Sequence, residues 1–274
     1  MDKTSLDTFI REKRFLANVS ESTIKYYGYV FNRWEEFVGE EPNADNIKTF
    51  VMKVRESGVS IYTANSYIRG MNSYLNWKGT GLKIKKLKEP QKVLTLFTEQ
   101  QLKALVAYKG KSPQDKRLHA LIVLLIDSGM RISEALNIMK KDIDLESLLI
   151  KVTGKGNKSR VVPISRECRK VLYLFAKDKH GYLFPAKGHK WAYRSALDQF
   201  KRLCANIGVE NVRCSFHTFR HYFAVSYIRQ GGDLYRLSKI LGHTDLQTTA
   251  IYLKHMGIEP IQEAHHLYSP FSRL

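Results

Sequence analysis

A tyrosine, two arginines, two histidines and a lysine stand in an order that suits one reaction. Tyr252 lies nine positions after His243, which sits in the run Leu241-Gly242-His243-Thr244-Asp245. His217 and Arg220 are three apart in His217-Thr218-Phe219-Arg220. Lys155 falls in Thr153-Gly154-Lys155-Gly156-Asn157-Lys158, and Arg131 precedes it by 24 residues in Ser128-Gly129-Met130-Arg131-Ile132-Ser133-Glu134. Guanidiniums hold phosphate oxygens through paired hydrogen bonds. A phenol becomes a nucleophile when its proton is removed. At a pKa near 10, only about one phenol in a thousand is ionised at pH 7, so cations and a base must surround it. The set predicts a site that binds a phosphodiester, stabilises five-coordinate phosphorus and attacks it with Tyr252.

Each residue is ambiguous by itself. Arg131 and Glu134 have the spacing of an ordinary intrahelical ion pair, yet Arg131 follows Gly129, a helix terminator, and so stands at a junction where its fork can enter a cleft. His217 and Arg220 share a helix face. Arg220 suits a second non-bridging oxygen. His217 suits either the nucleophile's proton or the phosphate. His221 is turned about 100° away and reads as structural or as a backbone-phosphate contact. His243 is pinned between a helix stop at Gly242 and a capping pattern at Thr244-Asp245-Leu246-Gln247. Lys155, flanked by glycines, can reach a leaving oxygen and protonate it, although spacing alone leaves Lys158 and Arg160 as competitors. No carboxylate or cysteine is spaced to complete a metal site with the histidines. A phosphotyrosyl ester conserves the energy of the broken bond, so neither a metal nor a cofactor is expected.

The elements that must position these groups are mostly helical. Apolar residues recur at helical spacing near Ser5–Phe15, Ser22–Val38, Ala44–Ser57 and Ser60–Trp77, which predicts a four-helix bundle. Gly79-Thr80-Gly81 and the lysine-rich stretch to Pro90 read as a basic connector, with a half-buried strand as the alternative. Thr98-Glu99-Gln100-Gln101 is a capping box that opens a second domain. Leu118, Leu121, Ile122 and Leu125 mark a central helix there. Strand patterns occur at Leu148–Thr153 and Arg160–Ile164 around a Gly-Lys-Gly-Asn-Lys turn. The reading is a mainly α protein with a small antiparallel sheet in its second domain.

Composition favours a polyanionic partner. The 274 residues carry 45 Lys and Arg against 26 Asp and Glu, a net charge of +19, and the pI is about 9.7. Such an excess fits nucleic acid. No apolar run spans a bilayer, and the polar start Met1-Asp2-Lys3-Thr4-Ser5 is unlike an export signal. Cys168, Cys204 and Cys214 form no C-x-x-C pair, as expected of thiols in a reducing cytoplasm.

The ordered set Arg131, Lys155, His217, Arg220, His243 and Tyr252 resembles the tyrosine recombinase (phage integrase, Xer-like) family. The likeness is sharp from about Thr98 to Leu253 and looser before it. It implies residues 1–80 as a helical DNA-binding domain, 81–97 as a linker, 98–254 as the catalytic domain and 255–274 as a tail, either exchanged between subunits or folded back on its own domain. It also implies that Lys155 is the proton donor. The partners it implies are double-stranded DNA recombination sites, three further copies of the chain in a synaptic tetramer, and accessory DNA-bending proteins. Strands would be exchanged through a 3′-phosphotyrosyl intermediate and a Holliday junction. A type IB topoisomerase-like enzyme and a non-catalytic DNA-binding module are the alternatives.

Overall fold

A computed structural model describes residues 2–90, 95–154, 159–176, 180–243 and 245–255, in two compact units that divide after Lys92. The first unit holds helices α1 (Lys3–Phe15), α2 (Glu21–Phe37), α3 (Ala44–Glu56) and α4 (Ile61–Trp77). Each starts at a polar cap: Asp2, Ser20, Asn43 and Ser60 accept backbone N–H groups that have no partner within the helix. The core is strongly aromatic. Phe9 is fully buried, edge-on to Tyr27, Phe31, Tyr74 and Trp77 with centroids 5.0–5.7 Å away. Helices α2 and α4 approach closely at Gly70, where a Cβ would lie 2.6 Å from Cγ2 of Val30.

The lysine-rich stretch after α4 is held against this bundle. Asn72 accepts from the N–H of Ile84 (2.7 Å) and donates to its carbonyl (2.9 Å). Two helical turns earlier, Asn65 does the same for Leu87 (2.8 and 2.9 Å) and also donates to Glu89 (2.8 Å). Each amide side chain thus behaves like a neighbouring strand, offering one donor and one acceptor to a single residue. Ile84 is buried, Leu82 and Leu87 are half-buried, and Lys83, Lys85, Lys86 and Lys88 are exposed. The segment is neither a free connector nor a strand: its backbone is extended, but its partners are side chains.

The second unit opens with α5 (Glu99–Ala107), capped by the Thr98–Gln101 box as expected. Helix α6 (Pro113–Ser128) follows, with Leu118, Leu121, Ile122, Leu124 and Leu125 buried. After α7 (Ile132–Asn137) comes an antiparallel sheet of β1 (Ile143–Asp144), β2 (Leu149–Thr153) and β3 (Ser159–Pro163), in that order. Ile150 opposite Val162 turns the apolar face inward. Helix α8 (Arg166–Ala176) leads to a hairpin of β4 (Pro185–Ala186) and β5 (His189–Lys190), then α9 (Tyr193–Asn206), α10 (Phe216–Arg229), α11 (Leu234–Leu241) and α12 (Leu246–Ala250), and a 3-10 turn at Ile251–His255. The mainly helical reading and the antiparallel strands agree with this architecture. The sequence patterns missed β1 and the β4–β5 hairpin, whose two-residue strands are too short to show a period. Among the described residues, no helix is long and apolar enough to cross a membrane.

Asn65→Ala would leave buried backbone groups of the lysine-rich strap without partners. We expect a loss of about 2 kcal/mol in denaturant unfolding and faster tryptic cleavage between residues 83 and 88. An unchanged cleavage rate would show that the asparagine does not hold the strap.

Candidate active site

Two helix ends of the second unit converge on one buried cation. Helix α6 stops at Gly129, whose left-handed φ of +60° closes its last turn. A Cβ here would strike the Phe223 ring at 2.3 Å, so only glycine fits. Helix α11 stops in the same way at Gly242, φ +66°, where a Cβ would lie 2.9 Å from the Arg160 side chain. Between these ends lies Arg220 of α10, only 2% exposed. It donates from Nη1 to the Gly129 carbonyl (3.0 Å) and from Nη2 to the Leu241 carbonyl (2.9 Å). Both carbonyls belong to helix C-termini, where unpaired oxygens and the helix dipole favour a positive charge. Burial, and then the nearby Arg131, lower the Arg220 pKa to about 10, which leaves it protonated at neutral pH.

Arg220 fixes the neighbouring histidine as well. Its Nη2 lies 2.7 Å from Nε2 of His243. A guanidinium can only donate, so Nε2 must be the bare nitrogen. Nδ1 then carries the hydrogen and donates to Oγ1 of Thr249 at 2.7 Å. Burial, then the charges of Arg220, Arg131 and Arg160, lower the His243 pKa to about 4. The ring is therefore neutral at pH 7.

Glu134 organises the other cations. The Arg131 N–H donates to its Oε2 (2.8 Å), which caps α7, and Arg131 Nη1 donates to Oε1 (2.9 Å). Arg160 meets both carboxylate oxygens at 2.8 and 2.9 Å, fork to fork, while its Nε donates to the carbonyl of Ile240 (2.8 Å). Burial pushes the Glu134 carboxyl up, but the hydrogen bonds from Arg160 and Arg131 more than offset this and hold it at about 2. Arg160 thereby ties β3 to the end of α11. The Arg131 side chain stays 40% exposed. With Arg160, Lys239, His243 and Thr248 it lines an open cleft of about 680 Å³.

Tyr252 stands beneath these cations. It is 3% exposed and packs with Ala224, Val225, Leu237 and Leu241. Its neighbours in the chain, Ile251 and Leu253, are not buried beside it. Those two are 47% and 43% exposed, because a single 3-10 turn directs one side chain inward and here that one is the phenol. Burial raises the phenol pKa, while Arg220 and Arg131 pull it down. Its oxygen lies 3.2 Å from Nδ1 of His221. His217 meets the His221 ring edge-on at 4.5 Å.

Arg131, Arg220, His243 and Tyr252 therefore share one electrostatic environment, and His217 adjoins it through His221. Lys155 and the tail beyond His255 lie outside the described residues. Sequence reasoning undervalued Arg160 and His221 and missed Thr249 and Lys239. The four-residue step from His217 to His221 is the signal that these two rings meet along α10.

The carboxylate of Glu134 contributes stability that is complete above its ordinary pKa of 4.5 and is lost as the pH falls to about 2. Glu134→Gln should lower the unfolding free energy at pH 7 by about 3 kcal/mol, because it leaves a buried guanidinium unbalanced. It should also flatten the acid limb of the stability profile. A wild-type profile would refute the organising role.

Comparison with known proteins places the chain in a family. Residues 95–257 match the Phage integrase family. The chain is 33% identical to "Tyrosine recombinase XerA" of Pyrococcus horikoshii over 251 residues, covering 87% of this chain and 85% of that protein. The crystal structure of XerA recombinase superposes with a TM-score of 0.55 at 25% identity, covering 97% of this chain and 98% of the other. The Tn1549 transposon integrase in complex with circular intermediate DNA has the same fold, with a TM-score of 0.80 at 18% identity and coverage of 97% and 99%. These relatives do not favour the topoisomerase-like or non-catalytic alternatives. The chain belongs to the phage integrase family and is a tyrosine-type site-specific recombinase.

Proposed function

We propose that the chain cleaves and rejoins double-stranded DNA through a 3′-phosphotyrosyl bond to Tyr252. The observation that carries this reading is the buried Arg220, bonded to His243, with Tyr252 and Arg131 in the same field. Arg131 and Arg220 bind the non-bridging oxygens and offset the charge that grows at phosphorus. His217 and His243 contact the same phosphate. For His243, this requires exchanging the Arg220 N–H for a proton on Nε2, which an entering anion favours by raising the histidine pKa. Lys155, which follows β2 in the chain, protonates the 5′-oxygen as it leaves. The covalent ester then waits for the 5′-hydroxyl of a second strand, which reverses the step on a new partner.

Strand exchange of this kind needs two DNA sites, and a tetramer passing through a Holliday junction supplies four such centres. The first unit and its exposed lysines serve as a DNA-binding clamp, consistent with the net charge of +19. The cytoplasm, where DNA is accessible, is the proposed compartment.

A library of nicked duplexes, incubated with the protein and denatured, should yield covalent adducts whose sequences report the site. Tyr252→Phe should yield none, and a surviving adduct would reject the nucleophile. Arg131→Ala should lose about 10³-fold in adduct formation while keeping its melting temperature and most DNA binding, since the side chain is partly exposed. Arg220→Ala should lose stability too, because it strands two buried carbonyls. DNA affinity should fall steeply between 50 and 200 mM salt, on the order of 10³-fold for a many-phosphate footprint, and a flat response would reject that footprint.

A further inference from the structure

Beside the Arg220 guanidinium, the nucleophile has a second polar partner, a histidine to which the chemistry above assigns no step. Nδ1 of His221 lies 3.2 Å from the Tyr252 oxygen, and the two rings meet edge-on with centroids 5.7 Å apart. His221 is adjacent to Arg220 on α10, so the helix that places the phosphate-binding guanidinium also places this imidazole. The phenol is 3% exposed, so bulk water is a poor acceptor for its proton. A general base must stand within hydrogen-bond reach of the proton it removes, and His221 does. We propose that His221 is a further catalytic residue, the base that accepts the Tyr252 proton as the phenol oxygen attacks phosphorus.

The step balances within the site. The phenol O–H bond breaks and its proton passes to Nδ1, which must be the bare nitrogen, with Nε2 carrying the hydrogen. The freed electron pair forms the new O–P bond. The bond from phosphorus to the 5′-oxygen breaks, and that oxygen takes a proton from the acid assigned to Lys155. In the second half-reaction the incoming 5′-hydroxyl returns a proton to that acid, and the His221 imidazolium reprotonates the departing phenolate. Arg220 and Arg131 favour the phenolate, and His217, against the His221 ring, completes the surroundings.

This assignment rests on Tyr252 being the nucleophile, and the experiment separates the two claims. The probe is a nicked duplex recovered from the library, made with either an ordinary scissile phosphate or a 5′-bridging phosphorothiolate, whose thiolate leaves without an acid. His221→Asn should bind DNA normally yet form adduct about 10²-fold more slowly on both probes. Lys155→Ala should be restored by the phosphorothiolate. Added imidazole should accelerate His221→Ala, which keeps the test open if the asparagine variant is unstable. Wild-type or faster rates for His221→Asn, or no response of a DNA-binding His221→Ala to imidazole, would overturn the proposal. An adduct formed by Tyr252→Phe would instead overturn the nucleophile.

Discussion

Placing a guanidinium inside protein is the constraint on which the second unit depends. A buried cation loses several kcal/mol of hydration unless oxygens replace the water. Here the replacements are the carbonyl ends of α6 and α11, joined by the His243 nitrogen. The requirement runs both ways. Arg220 needs two helices to end beside it, and those helix ends need a donor because their last carbonyls have no partner within the helix. Gly129 and Gly242 make the arrangement possible, each reversing the chain where a side chain would collide. The remaining charges assemble around this point: Glu134 collects Arg131 and Arg160, and Arg160 in turn holds the end of α11.

This construction separates two tasks that a recombinase must combine. Arg220 and Glu134 are fixed by protein partners, so on the proposed mechanism the field at the phosphate is set before DNA arrives and little reorganisation is needed. Arg131 remains partly exposed on the cleft and can engage an oxygen directly. Tyr252 is the opposite case, enclosed by apolar neighbours and held as a neutral phenol. As the proposed nucleophile, it must lose its proton at the moment of attack.

Much of this was legible in the sequence, for identifiable reasons. Helix boundaries declared themselves through caps such as Thr98 and stops such as Gly129 and Gly242, because orphan backbone groups restrict the residues allowed there. The central helix was visible from its apolar face. The site's membership rested on family resemblance, since no periodicity links Arg131 to Arg220. What stayed hidden were interactions across long sequence gaps. Arg160 bridging to Glu134 and Ile240 leaves no local trace. The inward turn of Tyr252 depends on the switch from α12 to a 3-10 turn, which five residues of mixed polarity do not encode. The strap looked like a tether because its partners, Asn65 and Asn72, are polar residues within a helix rather than a neighbouring strand.

That strap has a further consequence. Asn65 and Asn72 grip it through main-chain groups of Leu87 and Ile84. The lysines at 83, 85, 86 and 88 are exposed, with Lys86 paired to Glu89 at 2.9 Å. Where the segment lies is thus decoupled from how much charge it carries. Substitutions at those four positions would change the charge of the segment without touching the two amides that set the path of the chain.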